Sequence, residues 1–357
     1  MKMSNRSNEP ASSEDASPTG VPDADVLVTG ASGFIGGHLT RRLAERGHRV
    51  RVLVRAESDR SAFGDAAAEV VVGSIDDAAA VKRAVAGVTH VYNCAGMSAD
   101  WGPWEGFRKA NVEGARTVVE AAGEAGTVRR VLHVSTTDVY GYPKAPGDES
   151  SPLNDIGLPY NRSKILGERA VWSAAYHTGV PVTVVRPVSV YGPRSKDFVI
   201  EIANLLLQKQ MVYVRKGAAP AGLLYVDNAV EGMIAAATAE ETAGKAYNLR
   251  DPEQTTWRDY VEALAAGIGA KSPGLSLPSG VATAIATVSE KLYGAFRIDS
   301  RPVLTRHSVH LLNRDQSYGI ERAQDDFGLK SPVDFEEGMR RTLEWLDSAE
   351  GRELVSR

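Results

Sequence analysis

One cysteine, Cys94, is present in 357 residues, which excludes an internal disulfide framework and a cysteine-rich zinc site and fits a reducing compartment. Neither sign of charge dominates: 41 Lys and Arg face 45 Asp and Glu, so no basic face for nucleic acid is implied. The seven histidines show no ligand spacing, and no metal is expected. No apolar run is long enough to span a bilayer. The most apolar window, 280–296, contains Ser289, Glu290 and Lys291 and reads as an amphipathic helix, with peripheral membrane contact left open. The first 22 residues lack apolar runs altogether. Rich in Ser, Asn, Glu, Asp and Pro, they read as a disordered tail and not a secretory signal, and a cytoplasmic protein is expected.

What the chain does have is alternation. Short runs of Val, Leu and Ile predict strands at 25–29, 49–54, 69–73, 90–94, 130–135, 181–186 and 245–249. They are apolar on consecutive positions, as parallel strands covered on both faces must be. Ala-rich amphipathic segments between them predict helices at 33–46, 77–86, 111–123, 160–176 and 227–237. Strand and helix in turn give an α/β fold with a doubly wound parallel sheet. Residues 23–190 are expected to form that domain, with 223–250 returning to it. Residues 191–222 and 251–350 have little strand pattern and are expected to form a smaller, mostly helical substrate lobe.

The first strand runs into Thr29-Gly30-Ala31-Ser32-Gly33-Phe34-Ile35-Gly36. Glycines at that spacing let backbone amides approach a pyrophosphate, and the helix that follows offers free N–H groups and a partial positive charge. The second strand ends Val52-Leu53-Val54-Arg55 with no acid until Glu57. An acid there would bind a ribose 2′-hydroxyl; a base suits a 2′-phosphate, so NADP is favoured over NAD. Further on, Tyr160-Asn161-Arg162-Ser163-Lys164 puts a phenol and an ammonium one helical turn apart. A nearby ammonium favours the phenolate, and a phenol so tuned can exchange a proton with a carbonyl or alcohol oxygen.

The glycine motif, the Tyr-x-x-x-Lys and the segment His133-Val134-Ser135-Thr136-Thr137-Asp138-Val139-Tyr140-Gly141 between them closely resemble the extended short-chain dehydrogenase/reductase superfamily, over about residues 25–345. The resemblance implies a Rossmann fold, with Tyr160 and Lys164 as the catalytic pair and Thr136 as the substrate-orienting hydroxyl. It also brings in Ser135 as the neighbouring hydroxyl and Asn111 as the holder of a relay water. It further implies cofactor contacts from Gly30, Ser32, Gly33, Phe34, Ile35 and Gly36, and from Ser74 and Ile75 near the adenine. Cys94, Ala95 and Gly96 would lie beside the ribose, and Arg186, Pro187 and Val188 beside the nicotinamide.

Within that superfamily the pattern leans away from nucleotide-sugar enzymes. Those place an Asn where this chain has Ser189 and an Arg where it has Ala221, and a diphosphate needs several charged donors. Asp100-Trp101-Gly102-Pro103-Trp104, Leu224-Tyr225-Val226-Asp227-Asn228 and the tail Gly328-Leu329-Lys330-Ser331-Pro332 resemble hydroxysteroid and sterol dehydrogenases. Trp101 and Trp104, with Thr137 and Ser189, would wall an apolar substrate pocket. The expectation is an NAD(P)-dependent oxidoreductase for an apolar alcohol or ketone, dimeric by analogy. A nucleotide-sugar epimerase or dehydratase with tightly bound NAD, and a non-catalytic NADP-sensing module, stand as alternatives.

Overall fold

The computed structural model describes residues 25–67, 69–296, 298 and 300–355. The tail expected over residues 1–22 lies outside the described residues. Strand β1 (Val26–Thr29) is buried throughout, and its side chains go by turns to two apolar clusters: Val26 and Val28 to one, Leu27 to the other. That is why the run is uniformly apolar. The pattern repeats in β2 (Val50–Val54), where Val52 and Leu53 part in the same way. With β3 (Glu69–Val72), β4 (His90–Asn93), β5 (Arg130–Val134) and β6 (Val182–Pro187), these strands make most of one parallel sheet. Short strands β7 (Ser189–Tyr191), β8 (Tyr213–Val214) and β9 (Leu223–Tyr225) follow, then β10 (Ala246–Leu249) completes the seven-stranded sheet in the order β10-β6-β5-β4-β1-β2-β3. The chain winds outward from β1 through β3, then restarts beside β1 at β4. That reversal opens a crevice at the carboxyl ends of β1 and β4, where an open α/β sheet binds its ligand.

Helix α1 (Phe34–Glu45) packs on one face of the sheet. The other face takes α2 (Ala78–Val85), α4 (Ala115–Ala125) and α5 (Pro159–Thr178), with the single turn α3 (Trp104–Phe107) leading into α4. After α6 (Glu201–Leu207), helix α7 (Val226–Thr238) lies beside α1. From residue 251 on the chain is chiefly helical, through α8 (Trp257–Gly267), α9 (Ser279–Ala295), α10 (Arg306–Asn313) and three further helices to Leu354. Among the described residues no helix is long and apolar enough to cross a membrane.

Two features depart from the sequence expectation. The helix expected to begin at Asn111 starts at Trp104 and passes through a π-helical stretch, Arg108–Gly114, before α4. A π turn carries an extra residue and is favoured where a side chain must be re-aimed, and Asn111 stands in the middle of this one. Two small parallel pairs were not expected either: β7 with β9 at the borders of the expected lobe, and β8 with β11 (Ser276–Leu277) inside it. Runs of two or three residues are too short to show any period.

Candidate active site

At the end of β1 the backbone turns through Gly30, whose φ is +70°, a conformation that disfavours any residue with a Cβ. Space demands glycine as well. A Cβ on Gly30 would lie 2.7 Å from the Ala95 nitrogen, and one on Gly36 only 2.2 Å from the Gly30 oxygen. Gly33 caps α1 without a side-chain hydrogen bond, and no acidic residue occupies the first turn. The helix therefore presents unsatisfied amides and the positive end of its dipole to the crevice, and nothing there repels an anion. This cradle fits the pyrophosphate of a dinucleotide.

From the cradle a cavity of about 720 Å³ runs along the strand ends. Its wall takes in Gly30, Gly33 to Gly36, the turn Cys94 to Gly96, and Pro187 to Ser189. Tyr160, Lys164, Asn111, Trp101 and the stretch Ser135 to Thr137 face it too. Ser32, Arg55, Ser74, Ile75, Arg186 and Trp104 stand outside that wall. Arg55 is exposed at the end of β2 with its guanidinium 3.3 Å from Glu57, and the Trp104 ring lies under Arg162 at 5.3 Å. The buried Ser189 hydroxyl has no hydrogen-bond partner. Burial pushes the Cys94 thiol up to about 12, so it stays a thiol.

Helix α5 delivers Tyr160 and Lys164 from its first turns. The Lys164 ammonium donates to the Val134 carbonyl at 2.8 Å, and burial lowers its pKa to about 8. Tyr160 departs from the expectation of an acidic phenol: burial first, then the Asp138 carboxylate, raise it above the ordinary tyrosine range. The hydroxyls of Ser98 and Thr136 beside it favour ionisation but are outweighed. Thr136 also caps the 3₁₀ turn Thr137–Tyr140 by accepting from the Asp138 amide. The Asn111 side chain accepts from the Met97 amide at 2.7 Å and donates to the Ser163 hydroxyl at 2.8 Å. It thereby ties the loop after β4 to α5.

Ser135 and Arg186 have partners of their own. Ser135 donates to Glu168, and the Arg186 guanidinium makes a two-pronged pair with the same carboxylate at 2.9 and 2.6 Å. Glu168 is fully buried, so this knot of α5, β5 and β6 is internal structure underneath the cavity floor. Sequence reasoning missed the polar residues opposite it. Asp138 meets His307 of α10 at 2.8 Å, and Asp100 pairs with Arg301 at 2.5 Å while accepting from Thr305. Asp197, also in the wall, is lifted to about 6 by burial and by Glu201.

Residues 26–249 match the model of the NAD dependent epimerase/dehydratase family, a stretch that runs from the glycine cradle through the Tyr-x-x-x-Lys helix to the last strand of the sheet. The chain belongs to that family. Relatives of this epimerase/dehydratase family member include the 2-alkyl-3-oxoalkanoate reductase of Stenotrophomonas maltophilia, 31% identical over 88% of this chain and 97% of that one. The sterol-4-alpha-carboxylate 3-dehydrogenase, decarboxylating, of Mus musculus is 27% identical and covers 89% of each chain. Among solved structures, the dTDP-glucose 4,6-dehydratase of Streptomyces venezuelae with NAD and TYD bound superposes with a TM-score of 0.74. It is 25% identical, covering 93% of this chain and 99% of that one. The family, and the dinucleotide held by that neighbour, agree with the cradle in pointing to a nicotinamide cofactor.

Proposed function

We propose that this chain is an NAD(P)-dependent oxidoreductase interconverting a secondary alcohol and a ketone on an apolar, long-chain or polycyclic substrate. One observation carries the reading: a single cavity joins the glycine cradle and the Tyr160–Lys164 pair to a wall that includes Ile202, Leu205, Met211, Trp257, Leu311 and Leu312. An apolar body would bury itself there while its oxygen reached the phenol. Relatives named as a 2-alkyl-3-oxoalkanoate reductase and a sterol carboxylate dehydrogenase support the same substrate class.

In this reading the turn Gly30 to Gly36 holds the pyrophosphate, and Lys164 holds the ribose that carries the nicotinamide. The bound cofactor supplies or accepts a hydride at the carbon bearing the oxygen. Tyr160 gives the proton to that oxygen during reduction and takes it back during oxidation, while Thr136 orients the oxygen. A phenol that holds its proton at neutral pH is suited to the reductive direction.

NADP is the proposed partner, with Arg55 turning from Glu57 to the 2′-phosphate. Arg55→Asp is expected to move the ratio of kcat/KM values for NADPH and NADH toward NADH by at least about tenfold; an unchanged ratio would remove Arg55 from the phosphate site. The function itself is tested by mixing the protein with NADPH or NADH and a panel of long-chain ketones, sterol ketones and UDP-sugars. Loss of the reduced-cofactor absorbance with an apolar ketone is expected. Sugar interconversion without net cofactor change would establish the epimerase alternative instead, and saturable cofactor binding without turnover a sensing module.

A further inference from the structure

Asp138 lies on the 3₁₀ turn after β5, next to the wall hydroxyl Thr137, lines the cavity itself and is 7% exposed. Its Oδ2 is 2.8 Å from Nε2 of His307, a residue 169 positions later on α10. The His307 ring stands edge-on to the Tyr160 ring at 6.0 Å and edge-on to Tyr142 at 5.9 Å, and both His307 and Tyr160 face the cavity. Other charged and titratable groups acting on His307 are Asp100 and Arg301, with His310 on its own helix. Tyr160 feels Asp138 and Asp197 and has Ser98 and Thr136 beside it.

A carboxylate next to a phenol makes it hold its proton, and a cation bonded to that carboxylate weakens the effect. We propose that His307 is a positioning residue whose imidazolium neutralises Asp138 beside Tyr160, so that docking of α10 completes the proton-transfer site. The inference rests on the reading of Tyr160 as the proton-exchanging group. His307 has the charge for this role: burial lowers its pKa, but Asp138 and Asp100 together outweigh burial and leave it above the ordinary histidine value. Without the imidazolium, the full field of Asp138 falls on the phenol. Oxidation needs the phenolate to take the proton from the carbinol oxygen while hydride leaves the carbinol carbon for the bound cofactor, so that direction suffers most.

The test is the pH profile of NADP⁺-dependent oxidation of a long-chain secondary alcohol by the purified chain, in wild type, His307→Gln, Asp138→Asn and the double variant. His307→Gln should shift the rising alkaline limb upward by about one pH unit, whereas Asp138→Asn removes both the carboxylate and the leading cause that holds the imidazole's proton and should leave the limb near wild type. The double variant should return to within a few tenths of a unit of wild type. A limb unmoved in His307→Gln, or a double variant displaced as far as that single one, overturns the inference. Should His307→Gln fail to fold, His307→Asn is read in its place, with the same upward shift expected and an unmoved limb overturning the inference. Tyr160→Phe is the control for the underlying reading: if it keeps its activity, Tyr160 is not the proton donor, whatever the limbs do.

Discussion

Lys164 illustrates what the site demands of single residues. Its ammonium is buried, with the Val134 carbonyl as its hydrogen-bond partner, and its pKa falls to about 8 from the usual 10.5. Below about pH 8 the lysine is charged in both states, and the folded state bears the cost of burying that charge. Between about pH 8 and 10.5 the unfolded chain binds the extra proton, so this residue's contribution to stability rises with pH. The shift corresponds to about 3 kcal/mol. Lys164→Met should therefore melt higher than wild type at pH 7 without added cofactor while losing turnover, and the gap should close above about pH 10. Melting curves of the two proteins across that range check it. A variant less stable at every pH would show that the Val134 bond outweighs the charge. Cys94 titrates oppositely in part of this window, since burial raises its thiol to about 12, and because Lys164 and Cys94 act on each other the comparison reads the two together.

The elements differ in how openly the sequence declared them. Three of the seven sheet strands, β1, β2 and β6, are buried throughout, and β4, β5 and β10 are buried at all but one position, which leaves mostly apolar runs to read. The glycine turn was equally legible, because Gly30 and Gly36 each answer a specific collision. Gly36→Ala, placing a methyl 2.2 Å from the Gly30 oxygen, should cost about 1–3 kcal/mol of stability and abolish cofactor binding. Urea unfolding and cofactor titration would measure the two effects, and near-normal affinity would contradict the cradle. The π stretch Arg108–Gly114 was not legible, because Arg-Lys-Ala-Asn-Val-Glu-Gly has the composition of an ordinary helix. Its extra residue is set by packing, with the Asn111 carbonyl 2.3 Å from where a Cβ on Gly167 would stand. Ser135 and Arg186 were legible as strand-end residues, yet their shared partner Glu168 lies inside α5 and is invisible to any local pattern.

At the scale of the molecule, the site is assembled from both ends of the chain. The cradle and the Tyr-x-x-x-Lys pair could be read early because each is local: a turn in one case, one helical turn in the other. His307 and Arg301 could not, since their partners Asp138 and Asp100 are 169 and 201 residues away and no spacing rule connects them. The apolar residues of the far wall, among them Phe198, Leu205, Trp257 and Leu312, are likewise brought together only by folding. If that wall receives the substrate body, kcat/KM for a series of straight-chain ketones should rise about fourfold per added methylene, at about 0.8 kcal/mol each, until the part of the cavity that the cofactor leaves free is full. A flat series would place the body of the substrate elsewhere.

The central claim is hydride transfer to a ketone with Tyr160 supplying the proton. Its most direct test is incubation of the protein with cofactor deuterated at the transferring position and a long-chain ketone, followed by mass spectrometry of the product. The account predicts an alcohol carrying one deuteron at the carbinol carbon, and none formed by Tyr160→Phe. Alcohol free of deuterium, or unchanged yield from that variant, would contradict it.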